Sequence, residues 1–252
     1  DLAAMLNAMS GAHPSDPLSR RLRRPVEIAK DPELKLKGKR LLMIPSMGGN
    51  TVDQEMLESV EAMLSLLASS GMNIEVASSD PIKFDSSIFS NLLTTNLAAR
   101  VRSMTQQQQA LLDPGLHQLL EGCDYHSDGV QLQQQAMERS RLYDRVETIF
   151  SEFDFIVTPT VTARPPPADS DGVQRVNIGG EMLPLSRWWI HLAQANMTGH
   201  PAISIPCGFI GESLPTGLNV MAGWDSEQEL LDLAALIAVL KPWMDRWPEF
   251  NV

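Results

Sequence analysis

Cysteine is nearly absent from this sequence: Cys123 and Cys207 are the only two in 252 residues. They stand far apart and in no C-x-x-C arrangement, which argues against a zinc site or a disulfide framework. A reducing, cytoplasmic setting is the expectation. Histidine is also scarce. His13, His117, His126, His191 and His200 show no metal-ligand spacing, so no metal is expected. No Walker loop or dinucleotide-binding glycine pattern occurs, so no cofactor is expected either, and the G-x-S-x-G and S-x-x-K nucleophile motifs are missing. No apolar run approaches the roughly 18 residues needed to cross a bilayer, and DLAAMLNAM at the start lacks the basic region of a signal peptide. Positive charge is in deficit, with 20 Lys and Arg against 31 Asp and Glu and a formal net charge of −11. Neutralising phosphates needs clustered cations, so no nucleic-acid partner is expected. The short run Arg20, Arg21, Arg23 and Arg24 ends at Pro25 and reads as a solvated linker.

What is present is an ordinary apolar complement, 43% of residues, enough for a sizeable core and too much for a disordered chain. Leu2, Met5, Leu6 and Met9 have helical spacing and stop at Gly11. Without an initiator Met, residue 1 is expected to fall inside a helix. His13 to Pro32 carries prolines at 14, 17, 25 and 32 and reads as a linker, the clearest boundary in the chain. Leu41 to Ile44 is a continuous apolar run suited to a buried strand. A helix follows with Met56, Leu57, Val60, Met63, Leu64 and Leu67 on one face, Thr51 and Gln54 in capping-box spacing before it, and Gly71 at its end. Asn73 to Ala77 completes a βαβ unit with parallel pairing. Helices are predicted over Phe84 to Met104 and Asp128 to Phe150, separated by a break at Asp113-Pro114-Gly115.

Phe155 to Val157 is the next buried strand, stopped by Pro159. A surface loop is predicted over Thr160 to Ile178, a helix over Leu185 to Met197, and short strands over Ala202 to Pro206 and Gly217 to Ala222. Asp225 is placed as the cap of a last amphipathic helix bearing Leu230, Leu233, Ala234 and Ile237. Trp243 and Trp247 are expected in the core. The whole reads as a single α/β domain fragment over 1–252: an N-terminal helix and Pro/Arg-rich linker (1–36), a βαβ unit and helical region (37–150), and pocket-wall strands with C-terminal helices (151–252).

Candidate chemistry gathers between Phe153 and Trp224. Pro159 and Thr160 lie just past the carboxyl end of a buried strand, the rim where α/β sheets bind ligands. His191, beside Trp188 and Trp189, is a candidate pocket-lining residue. Gly199 and Pro201 are explained as a helix stop and a strand start. Asn196 is not explained so simply, because its amide needs partners if buried. Met47-Gly48-Gly49-Asn50, between strand and helix, is either a phosphate-binding turn or, the favoured alternative, a plain one.

The segments FDFIVTPT with its proline loop, ANMTGHPAISIPCGF and LPTGLNVMAG, together with DLAAMLNAMSGAHPSDPLS at the start, resemble the C-terminal half of the amidase signature family hydrolases. The resemblance covers essentially the whole chain. It implies a mixed sheet flanked by helices, and a parent enzyme that hydrolyses carbon–nitrogen amide bonds with a Ser–Ser–Lys triad. Those elements lie upstream of Asp1 in the family pattern, so no catalytic residue is assigned here and the chain alone is expected to be inactive. The implied partners are a small-molecule amide substrate and the N-terminal half of the same protein. Self-association through an uncovered apolar face is also expected. Thr160 and Asn196 match positions at or near the family's pocket, and Trp188 and His191 are their neighbours by helical geometry. Trp189 stands where glutamine-using relatives carry an acidic residue, which implies a more apolar amide. The alternatives are an amidotransferase A-type subunit or a non-catalytic binding and assembly module.

Overall fold

The computed structural model describes residues 1–19, 24–121, 129–167, 175–211 and 213–246. In chain order its elements are α1 (Leu2–Met9), α2 (Pro32–Leu36), β1 (Arg40–Met43), α3 (Gln54–Ser69), β2 (Asn73–Val76), α4 (Ser86–Arg102), α5 (Gln106–Gln109), α6 (Pro114–Glu121) and α7 (Gly129–Phe150). There follow β3 (Phe155–Pro159), β4 (Arg175–Ile178), β5 (Glu181–Pro184), α8 (Ala193–Thr198), β6 (Ala202–Ile210), β7 (Leu214–Ala222) and α9 (Glu227–Leu240).

The main sheet has the order β2-β1-β3-β7-β6. β1 runs parallel to β2 and to β3, while β7 is antiparallel to both β3 and β6, so the sheet is mixed. The apolar runs at β1 and β3 place them inside the sheet, and every residue of β3 is buried. Alternation along the strands divides their side chains between two cores. Leu41, Met43, Phe155, Val157, Ile205, Leu218 and Val220 face α3 and α9, which contribute Val60, Met63, Leu67, Leu233 and Ile237. Leu42, Ile156 and Met221 face the other way, toward Leu142, Val146 and Ile149 of α7 and Ala193 and Met197 of α8. Each of these large side chains contributes about 1.5–3 kcal/mol on burial, before the entropy of ordering it is set against it.

The βαβ unit is as expected, but several local expectations are revised. The final helix is capped at Ser226, and Asp225 precedes it with a left-handed φ of 63°. The cap residue of α3 is Asp53, in place of the Thr51 and Gln54 box, and Asp53 Oδ1 instead accepts the Gly179 N–H at 2.6 Å. Asp113-Pro114-Gly115 starts α6, since Asp113 Oδ1 accepts the Gly115 N–H at 2.8 Å. The stretch predicted as a helix over Leu185 to Met197 is two 3-10 turns, Leu185–Arg187 and Ile190–Leu192, with only α8 truly α-helical. Trp189, at φ −111° and ψ 16°, separates the turns. The predicted loop over Thr160 to Ile178 ends in a strand, because β4 pairs with β5 around Gly179 and Gly180, both at positive φ. The linker is tied down where it is described: Asn7 exchanges two 2.8 Å hydrogen bonds with Val26, and Val26 packs on Ala3 and Leu231. β6 runs on to Ile210 through a register shift between Pro206 and Gly208. Cys123, Asp128, Trp247 and Arg20, Arg21 and Arg23 lie outside the described residues.

The Met47–Asn50 turn is a plain one. Gly48 has φ 62°, and its N–H donates to Asp80 Oδ2 at 2.8 Å. The same carboxylate accepts from Phe84 N at 3.1 Å and Ile82 N at 2.9 Å, so a carboxylate of the chain itself sits where a phosphate would bind.

Candidate functional site

The carboxyl end of β3 carries the candidate site. Val157 faces the α3–α9 core, so Thr158 points to the opposite side of the sheet, and Asn219 of β7, its register partner, points there too. Asn219 Nδ2 donates to Thr158 Oγ1 at 3.1 Å and to the His191 carbonyl at 3.3 Å, all of it buried. His191 in turn donates from Nδ1 to the Pro159 carbonyl at 2.9 Å. Its side chain is fully buried. Burial pushes the imidazole from 6.5 down to about 4, against the opposing pull of the Pro159 carbonyl and of Asp80. His191 is therefore neutral near pH 7, a structural donor bracing Pro159. Its Nε2, and Oε1 of the buried Gln194 one helical turn on, have no hydrogen-bond partner among the described residues.

In front of this scaffold stands a hydroxyl pair. Thr160 Oγ1 and Ser204 Oγ are 2.8 Å apart, and the Thr160 N–H donates to Gly217 O at 2.9 Å. Gly217 is required here: a Cβ on it would lie 2.6 Å from Thr160 Oγ1 and 3.1 Å from Ser204 Oγ. Ser204 is exposed and Thr160 half-buried. The pair is thus a polar, accessible spot on an otherwise buried floor.

The five sequence-derived site residues do not form one cluster. Thr160 and His191 meet around Pro159. Trp188 turns away, donating from Nε1 to the Ala163 carbonyl at 2.7 Å and packing with Ala163, Val176 and Ile178 under the β4–β5 hairpin. Trp189 turns toward α4, edge-on to Phe89 with ring centroids 5.7 Å apart. Asn196 is exposed, and its Nδ2 donates to the Leu192 carbonyl at 3.1 Å, so the need for buried partners disappears. Sequence reasoning missed Thr158, Ser204 and Asn219. Each is a polar residue inside an apolar strand run, which was the available signal.

A family model described as Amidase matches residues 1–231. The chain belongs to the amidase family. Among amidase relatives, the acylamidase of Rhodococcus erythropolis is 25% identical over 254 residues, an alignment covering 98% of this chain and 52% of the relative. The A-type subunit of the glutamyl-tRNA(Gln) amidotransferase of Neisseria meningitidis serogroup C (strain 053442) is 24% identical over 278 residues, covering 99% and 55%. Among solved structures, a bacterial aryl acylamidase of the amidase signature family superposes with a TM-score of 0.80 at 21% identity, over 96% of this chain and 51% of that one. A 6-aminohexanoate cyclic dimer hydrolase gives 0.79 at 20% identity, over 99% and 54%. The chain spans about half the length of the relatives it matches. At these identities the structural likeness establishes the amidase-type mixed α/β fold.

Proposed function

We propose that this chain forms the substrate-facing wall of an amidase that hydrolyses carbon–nitrogen amide bonds, with the Ser–Ser–Lys triad supplied from sequence upstream of Asp1. The observation that carries the reading is the Thr160–Ser204 pair. It is accessible and held on a buried scaffold, yet its oxygens bond each other and no Lys or His nitrogen among the described residues. A hydroxyl without a base is a poor nucleophile, though a good positioner of a polar substrate group. Thr160 and His191 then shape the floor, Trp189 and Asn196 belong to the surrounding wall, and Trp188 braces that wall from beneath the β4–β5 hairpin. The hydrolysis needs only water as co-reactant. Residues 1–252 act as one α/β unit of a cytoplasmic enzyme.

Trp189 packed on Phe89 presents an apolar surface with no charge to hold an amino group, which favours an aryl or alkyl amide over glutamine and so over an amidotransferase A-type role. Leu2, Met5 and Met9 form an exposed stripe on α1, at 53%, 57% and 76% exposure, which supports a covering partner, either more of the same protein or a second copy.

The test is aryl-amide turnover by the purified 252-residue chain and by the full product of its gene. The chain alone is expected to be inactive and the full product active. In the full product, Ser204→Ala is expected to raise KM about 2- to 10-fold, the loss of one hydrogen bond. Turnover by the 252 residues alone overturns the upstream triad. Absence of any amide hydrolysis by the full product overturns the amidase reading.

A further inference from the structure

The opposite face of the sheet carries a second polar cluster that the amide chemistry does not use. At the register shift in β6, Cys207 and Gly208 lie together across from Thr216. Two residues on one strand then oppose one on its partner, and both turn toward α3 and α9. Ser59 Oγ of α3 is hydrogen-bonded to Thr216 Oγ1, which lies 3.5 Å from Cys207 Sγ. Gly208 is buried within this group. A Cβ on it would lie 2.6 Å from Ser59 Oγ, 3.0 Å from Lys241 Nζ and 3.2 Å from Thr216 Oγ1. An ammonium and two hydroxyls therefore converge on a point where only a hydrogen atom projects.

That point forms the inner end of a cleft of about 270 Å³, whose outer walls are Phe209, Trp243 and Pro242 and whose second cation is Arg246. The Arg246 guanidinium sits 4.5 Å over the Phe209 ring, a cation–π contact at the edge of the cleft. Among the described residues no carboxylate lies within 4.0 Å of Lys241 or of Arg246, although the protein carries a net charge of −11 and Lys39, Arg40, Arg141 and Arg164 are all in ion pairs. Two cations with no carboxylate partner among the described residues, one hydroxyl proton not committed to the Ser59–Thr216 bond, and aromatic walls make an electrostatic set suited to an anion.

We propose that this cleft is a binding site for a small organic monocarboxylate with an apolar body. The carboxylate bridges Lys241 Nζ and the Arg246 guanidinium, and the body lies against Trp243 and Phe209. A monocarboxylate fits better than phosphate. The charged groups lining the cleft are the two cations Lys241 and Arg246, and the Phe209 and Trp243 rings line it beside them, so a phosphate dianion would leave oxygens facing the rings. At about 270 Å³, just below the usual range for small-molecule pockets, the cleft suits a body of one ring. The proposal does not depend on the amidase reading, since it uses none of the residues of the Thr160–Ser204 site.

The probe is benzoate, titrated calorimetrically into the purified chain at fixed ionic strength, with inorganic phosphate in a parallel arm. Saturable benzoate binding is expected, weakened about tenfold or more in Lys241→Gln and in Arg246→Gln, with phosphate binding more weakly than benzoate. Both side chains are at least partly solvated, so the variants should keep the parent thermal midpoint, measured alongside. Ser59→Ala keeps both cations and is expected to weaken benzoate by less than either charge substitution. No saturable heat with benzoate, equal affinity in the parent and both charge variants, or phosphate binding tighter than benzoate would each overturn the proposal.

Discussion

Acid should destabilise this protein through one residue, His191. In the unfolded chain its imidazole takes up a proton near 6.5, whereas in the fold burial holds it neutral down to about 4. The unfolded state therefore binds more protons throughout that window, and stability present above pH 6.5 is lost as pH falls toward 4. Linking the two values, with RT ln 10 of about 1.4 kcal/mol per decade, gives a loss of about 2 kcal/mol by pH 5 and about 3 kcal/mol by pH 4. Other groups titrate in the same range, so the measurement is a difference. His191→Gln keeps a donor for the Pro159 carbonyl and carries no titrating group. At pH 7 the variant should be weaker by about 1–3 kcal/mol, from imperfect filling of a closed site and disturbance of the Pro159 hydrogen bond. Urea unfolding at pH 7, 6 and 5, with the slope m checked for constancy, should then show the gap closing by about 2 kcal/mol and the curves nearly meeting at pH 5. A gap that stays constant across the series would falsify the assignment of a depressed pKa to this imidazole.

Gly48→Ala places a Cβ 2.6 Å from the Phe84 carbonyl oxygen at a φ of 62°, so an expected loss of about 1–3 kcal/mol should appear as a lower thermal midpoint. Gly217→Ala puts its methyl against Thr160 Oγ1 and should separate the Thr160–Ser204 pair. The readout is a changed Thr160 methyl shift by NMR, with a stability cost of about 1–3 kcal/mol. Leu67→Ala empties a fully buried position between α3 and the sheet and should cost about 2–5 kcal/mol by chemical denaturation.

The parts of this fold that were legible in the sequence are those in which one signal dominates. Leu41 to Ile44 and Phe155 to Val157 are continuous apolar runs, and they are inner strands because nothing polar competes. The apolar spacing of α3 likewise names Met56, Val60, Met63, Leu64 and Leu67, all buried. The β4–β5 hairpin was readable but missed: Gly179-Gly180 between two short strands is a two-residue turn with φ of 61° and 85°. So was α2, where Asp31 caps a helix with Pro32 at its first position. Spacing cannot distinguish a continuous helix across Trp188–His191 from 3-10 turns interrupted at Trp189, and the chain takes the turns in place of the helix expected there. The site itself was half legible. Thr160 announces itself by standing after a buried strand, but its partner Ser204 is 44 residues away and reaches it only because β7 brings β6 alongside. That neighbourhood is a property of strand order, which local patterning does not encode.

The register shift in β6 has a consequence for lineage and design alike. Ahead of it, Ser204 sits opposite Asn219; after it, Gly208 sits opposite Thr216. Removing Cys207 would make the ladder regular and keep both alignments, because Pro206 stays opposite Gly217 and Gly208 follows it opposite Thr216. The extra residue is therefore one the strand can lose without re-registering either the Thr160–Ser204 contact or the Gly208 cradle, at the cost of the buried Cys207 side chain in the α3–α9 core. A residue added between Ser204 and Pro206 has no such outlet and would turn the following side chains to the wrong face. A single-codon deletion at Cys207 should thus be better tolerated than a single-codon insertion ahead of it.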